Sequence, residues 1–135
     1  MISHNELRIG NYILIDDVLH EICLINNDSS TVDTSFIGYK NEGNTSNVSC
    51  VSTRVKPVPL TDDILKQCGF IYRDYYKFWQ KVEGVDGKRS EMDIDTDYNL
   101  IDFMRRPVVK SIASLHQLQN LYFSLNGKEV GFKKL

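Results

Sequence analysis

The alternation of apolar and polar residues is clearest over residues 114–127, where it predicts an amphipathic helix. Ser114 suits the N-cap, and Asn126 and Gly127 suit a left-handed helix stop. At 100° per residue, five apolar side chains share an arc of about 120°; they are Leu115, Leu118, Leu121, Tyr122 and Leu125. We expect this arc, including Leu118 and Leu125, to lie in the core.

The opposite side of this helix carries a candidate polar face formed by His116, Gln119, Asn120 and Phe123. Phe123 is a lone aromatic residue among polar ones. This predicts that a second layer, from this chain or from a partner, covers part of the face. Hydrogen bonds from the histidine and the amides to an adjacent loop or strand are the simplest interpretation of the face.

The N-terminal half alternates with the period of two that is typical of strands. It predicts short strands before Asp16 and over residues 18–25, 31–37 and 48–55, with a polar loop or hairpin tip at 38–47. Residues 18–25 are apolar on both faces, which favours a central strand or a tightly curled small barrel. We therefore expect a small antiparallel barrel or curled sheet, with an SH3-like barrel as one form of it.

The C-terminal half contains both segments with the apolar spacing of a helix and segments with the alternation of a strand. Thr61 and Gly69 bracket a short helix, and residues 70–82 read as one aromatic-rich strand. An Asp-Gly turn then leads to a return strand at 90–96, in which the acidic residues point outward. A further turn and strand are expected at 97–103, and a terminal strand through Val130 and Phe132.

Together these elements predict an α+β protein, with a β-rich N-terminal half and an antiparallel hairpin packed with one main C-terminal helix. A chain of 135 residues fits a single compact domain. A subdivision into residues 1–56 and 57–135 is the alternative.

The composition and net charge of the chain argue against some classes of partner and some cellular locations. The net charge of −2 supplies no global attraction to nucleic acid or to an anionic membrane, and no apolar run is long enough to span a bilayer. The start of the chain lacks the pattern of a secretory signal. The cysteines are three in number, which predicts free thiols and a cytoplasmic protein.

Three segments carry a family resemblance: LRIGNYI at 7–13, PVPLTDDILKQCGF at 57–70 and HQLQNLYFSLNGKEV at 116–130. In this order and spacing the chain resembles a group of small uncharacterised proteins of gut-dwelling anaerobic bacteria, whose members are often carried on prophages and other mobile elements. The resemblance implies a bacterial cytoplasmic setting. It implies no reaction, and no functional residue is carried over from it.

The sharpest candidate surface comprises alternating cations and aromatic rings on the predicted strand at 70–82: Arg73, Tyr75, Lys77, Trp79 and Lys81. Such a face can stack bases and neutralise phosphates. The competing interpretation is a solvated face, with its cations paired to Glu91, Asp93 and Asp95 on the return strand. We favour the second interpretation.

The sequence does not match a metal-binding motif or a catalytic motif in full. The run Asp93-x-Asp95-x-Asp97 resembles a calcium loop, but Tyr98 and Met104 stand where that loop needs glycine and glutamate. We expect no metal and no cofactor. No serine or cysteine stands in a nucleophile motif, so we expect no catalytic residue.

The sequence thus predicts a non-catalytic interaction protein, specifically a self-associating accessory factor of a prophage or mobile element. Its expected partner is a protein, which includes a second copy of the chain, and no membrane is involved. The alternative is a nucleic-acid-binding module that uses the residues from Arg73 to Lys81, and an enzyme is the third possibility.

Overall fold

The computed structural model describes residues 2, 6–27, 35–41, 43–50, 52–85 and 88–133. These contain ten strands and two helices in two compact units. Unit 1 is Met1–Pro59 with Ser114–Asn120, and unit 2 is Leu60–Ala113 with Leu121–Leu135. The mixed α+β class expected from the sequence is confirmed.

Unit 1 is built on an antiparallel five-stranded sheet of order β4-β3-β2-β1-β5. No pairing among the described residues joins β4 to β5, so the sheet is a curled half-barrel. Its strands are β1 Tyr12–Ile15, β2 Val18–Asn27, β3 Ser35–Asn41, β4 Asn44–Ser49 and β5 Val55–Lys56.

The strands of the N-terminal half differ from the predicted ones at two places. Strands β3 and β4 extend through most of the predicted polar loop, and a turn separates β4 from β5 where one strand was expected at 48–55. The predicted strand start at 31–34 lies outside the described residues.

Strand β2 is central, but its two faces are not both buried as the alternation suggested. Its register against β3 slips between Ile22 and Leu24, so a bulge reverses the facing of the residues beyond it. Ile22 is buried, whereas Leu24 is exposed. Leu24 lies across from Gly38, where an added Cβ would come within 2.9 Å of the Leu24 Cβ.

The core of unit 1 is mainly aliphatic and draws side chains from all five strands, and Ile13, Ile37 and Val55 have no exposed surface. Leu115 and Leu118, in the first half of helix α2 (Leu115–Asn126), are also fully buried in this unit. The isolated bridge between Pro59 and Ser114 precedes the helix.

Unit 2 contains a second antiparallel sheet of order β10-β9-β8-β7-β6 and a short helix, α1 (Asp62–Gln67). The Thr61 hydroxyl accepts from the Ile64 N–H, and Gly69 follows the helix at φ +88°, as the sequence predicts. The strands are β6 Ile71–Arg73, β7 Phe78–Val85, β8 Lys88–Asp95, β9 Leu100–Ile101 and β10 Pro107–Val109.

The single strand predicted over residues 70–82 is wrong. A turn at residues 74–77 separates β6 from β7, and the two strands pair through Tyr72 and Trp79. Lys77 closes this turn at φ +61°. The expected Asp86–Gly87 turn lies outside the described residues, and the terminal strand at Val130 and Phe132 does not form.

The prediction for the apolar arc of α2 is confirmed at Leu118 and wrong at Leu125. Leu118 is fully buried, whereas Leu125 is 59% exposed. The last turn of the helix extends beyond Tyr122, the final well-buried side chain in it. Periodicity identifies the apolar side of a helix but not how far along the helix the core reaches.

All three cysteines are free, as predicted, and Cys50 and Cys68 are buried. Neither α1 nor α2, the helices of the described residues, is long and apolar enough to cross a membrane.

Candidate functional site

The predicted aromatic–basic face does not exist as one surface. Trp79 is 4% exposed and packs against Tyr72, with ring centroids 5.2 Å apart and the ring planes tilted by 59°. Lys81 lies on the same face of β7 as Trp79, because side chains two apart in a strand point the same way. Arg73 instead bonds to Gln80, on the opposite face of the sheet. Tyr75 and Lys77 are exposed on the turn.

The expected pairing of these cations with acids across the hairpin is also wrong. In the observed register Glu91 is opposite Val82, Asp93 is opposite Gln80, and Asp95 is opposite Phe78. The loss of four residues from the strand into a turn changes which side chains meet. The acids therefore line a face without a directly opposed lysine or arginine.

A different surface arises where the turn at 74–77 meets the turn at 102–106. The Arg105 guanidinium lies 5.0 Å from the centroid of the Tyr76 ring and 6.0 Å from that of Phe78. Phe103 is 91% exposed and Tyr75 is 88% exposed. We call this set the turn surface; its members are Tyr75, Tyr76, Phe103, Met104 and Arg105.

The second turn is fixed by local hydrogen bonds. One carboxylate oxygen of Asp102 accepts from the backbone N–H groups of Met104 and Arg106, both at 2.9 Å. Arg105 adopts φ +63°. The hydrogen bond from the Arg106 N–H lowers the pKa of Asp102, which keeps the carboxylate ionised as an acceptor. Phe103 and Met104 are thereby held at the tip of a defined turn.

A row of polar side chains crosses the sheet beside the turn surface. Arg73 Nε donates to Gln80 Oε1 at 3.1 Å, and Gln80 Nε2 donates to Asp93 Oδ1 at 3.3 Å. Asp93 is 9% exposed. Burial, with a further contribution from Glu91, raises the pKa of Asp93 to about 6. The acids of β8 thus form one side of this face and Arg73 the other.

The polar face predicted on α2 is a structural contact in unit 1. Gln119 is buried; its Oε1 accepts from the Tyr12 N–H at 2.9 Å, and its Nε2 donates to the Gly10 carbonyl at 3.1 Å. Asn120 Nδ2 donates to the Glu6 carbonyl at 2.8 Å. The second layer that the sequence predicted is therefore the chain's own segment at residues 6–12.

Asn120 also accepts two hydrogen bonds on Oδ1, from Asn11 Nδ2 at 2.8 Å and from Arg8 Nε at 3.1 Å. The segments 7–13 and 116–120, both part of the family resemblance, are thus in direct contact. Phe123, the fourth residue of the predicted face, belongs to unit 2 and is 40% exposed.

His116 lies between a hydroxyl and a carboxylate, an order that superficially resembles a catalytic triad. Its Nδ1 is 3.2 Å from Ser114 Oγ, and its Nε2 is 3.9 Å from Glu6 Oε1, too far for a hydrogen bond. Burial lowers the pKa of His116, while Glu6 opposes that shift. Ser114 and His116 are 3% and 2% exposed, so a substrate cannot reach them.

Ser114 has a structural use for its hydroxyl, which accepts from the Gln117 N–H at 3.4 Å at the start of α2. The described residues contain no group of three acids, histidines or cysteines able to hold a metal ion.

Sequence reasoning missed Phe103, Met104 and Arg105. Their signal was present: two large apolar residues follow Asp102, an aspartate suited to a turn, and precede two arginines and a proline. Only the fold brings Arg105, and with it this turn, to Tyr76.

Comparison of the chain with protein-family models, with curated proteins and with solved structures found no match. The family resemblance and the SH3-like form of the first half remain predictions.

Proposed function

We propose that this protein is a non-catalytic interaction protein, and that the turn surface binds a second copy of the chain. The observation that carries the proposal is the exposure of Phe103 and Tyr75 on two turns that Arg105 joins. Aromatic residues, methionine and arginine are the types enriched at the centres of protein interfaces. A phenylalanine that is 91% exposed buries little apolar surface in unit 2.

A second copy suits the charges around this surface. The face next to it has Arg73 at one side and the acids of β8 at the other, with Phe78 paired to both Arg73 and Asp95. An isologous interface requires such a self-complementary patch, since each region meets the other region of its partner. A net charge of only −2 leaves weak overall repulsion between copies.

The nucleic-acid alternative loses the arrangement that motivated it. Trp79 is buried, and the Lys81 ammonium is bonded to backbone carbonyls. Arg73, Tyr75 and Lys77 remain near the turn surface, but Asp93 and Asp95 interrupt the continuous basic stripe that phosphate binding needs. The inaccessibility of Ser114 and His116 supports a non-catalytic role. The resemblance noted in the sequence supports the proposal that this role is that of an accessory factor of a prophage or mobile element.

Sedimentation equilibrium over a wide concentration range tests the proposal. The parent should associate reversibly, and Phe103→Ser should raise the dimer dissociation constant by about 30-fold, the effect of losing about 2 kcal/mol at an interface centre. Leu125→Ser is the matched control, because Leu125 is an exposed leucine of the same unit outside the turn surface. A parent that stays monomeric, or equal effects of the two substitutions, contradicts the proposal.

A further inference from the structure

A cleft of about 600 Å³ opens in unit 2 between the end of α1 and the segment at residues 131–133. We call it the α1 cleft. Its size falls within the range of small-molecule sites. Its lining includes Lys66, Cys68, Gly69, Lys81, Phe132 and Lys133.

The two walls of the cleft are tied together by Lys81. Its ammonium donates to the Cys68 carbonyl at 2.5 Å and to the Val130 carbonyl at 2.6 Å, and Glu83 Oε1 lies 3.4 Å away. The Lys133 N–H donates to the Gln67 carbonyl at 2.9 Å as a second tie. The cleft is thus pre-formed, so a ligand need not order its walls.

Gly69 keeps the cleft open. An added Cβ at this position would lie 2.9 Å from Lys81 Nζ, and φ of +88° suits glycine. Any larger residue would fill the space above the ammonium. The space therefore depends on the same glycine that ends α1.

The charged residues that line the cleft indicate the charge of the ligand that it can bind. The surface of the cleft is mostly apolar, and the charged groups among its described lining residues are three lysines and one acid, Asp63. Lys81 is already engaged. Among the described residues, no ion pair involves the ammonium of Lys66 or of Lys133, so both can meet a ligand's negative charge.

We propose that the α1 cleft binds a small apolar carboxylate, with its aliphatic or aromatic body against Phe132 and Cys68 and its carboxylate between Lys66 and Lys133. This site is independent of the turn surface and of self-association. A cation of the same shape should bind more weakly, because it would meet the ammonium groups of Lys66 and Lys133, neither of which is in an ion pair among the described residues.

Isothermal titration with decanoate and with decyltrimethylammonium, each below its micelle-forming concentration, tests the proposal. The parent should bind decanoate at one site and bind the cation at least about tenfold more weakly. Lys66→Glu/Lys133→Glu should reverse that preference. Lys66→Met/Lys133→Met should abolish the preference for decanoate without reversing it. The Glu and Met double variants should both keep the far-UV circular dichroism spectrum of the parent.

Lys110→Glu is the matched control, because Lys110 is an exposed lysine of unit 2 outside the cleft; it should bind decanoate as the parent does. Chemical-shift changes on adding decanoate should centre on the amides of Gly69 and Gly131. Absence of saturable decanoate binding overturns the proposal. So does equal affinity for the two probes, or a preference unchanged by the lysine substitutions.

Discussion

Gln119 joins α2 to the backbone of the N-terminal segment through both ends of its side-chain amide, so Gln119→Ala should destabilise unit 1 strongly. The substitution removes two hydrogen bonds and leaves the Tyr12 N–H and the Gly10 carbonyl without these partners. The net contribution of one hydrogen bond to the free energy of unfolding is about 0.5–1.5 kcal/mol, and a buried donor or acceptor left without a partner lowers it by about 1–3 kcal/mol. We expect a loss of about 2–4 kcal/mol, reduced slightly by the better helix propensity of alanine.

Urea unfolding followed by far-UV circular dichroism measures this loss, and Gln117→Ala is its control. Gln117 is an exposed glutamine of the same helix, so both substitutions change helix propensity equally. We expect the control to stay within about 0.5 kcal/mol of the parent. Hydrogen exchange supplies a local readout, because the Tyr12 amide should lose protection only in Gln119→Ala.

A further variant separates the two hydrogen bonds. Gln119→Glu keeps an acceptor for the Tyr12 N–H, but its carboxylate cannot donate to the Gly10 carbonyl. Its stability should recover as the pH falls and the carboxyl becomes protonated and able to donate. The reasoning is refuted if Gln119→Ala unfolds like Gln117→Ala and the Tyr12 amide keeps its protection.

Two further predictions concern stability. Leu118→Ala should cost about 2–5 kcal/mol, as for other fully buried leucines, whereas Leu125→Ala should change the free energy of unfolding by less than about 0.5 kcal/mol; equal melting of the two variants would contradict the assigned core. Because folding raises the pKa of Asp93 from 3.8 to about 6, the folded state holds its proton more tightly, and the stability from this group is lost as the pH rises through that window. Relative to Asp93→Asn, the parent should therefore become less stable between these pH values, as urea unfolding at each pH will measure.

Local patterns predicted the elements whose signals lie within a few residues. The cap and stop of α1, the return strand that forms β8, and the free cysteines follow from neighbouring residues and composition. The same holds for the apolar side of α2 at Leu118. These features depend on backbone and side-chain preferences that a contact far along the chain does not reverse.

The candidate site was predicted less well, because its geometry depends on register. The residues from Arg73 to Lys81 alternate as a strand does, yet four of them form a turn, since β6 and β7 pair with each other. The slip between Ile22 and Leu24 likewise turned one apolar residue outward. A change of one residue in register moves every later side chain to the other face.

The sequence by itself determined the α+β class, the ends of α1, and a polar side of α2 that needs a cover. Only the tertiary structure decided that Gln119 and Asn120 hold the segment at residues 6–12, and that the Arg105 guanidinium lies over the Tyr76 ring. The physical reason is the separation along the chain between the residues that interact. Caps and amphipathic faces are set by residues three or four positions apart, whereas these contacts join residues separated by about 30 to 110 positions, whose meeting depends on the packing of whole elements.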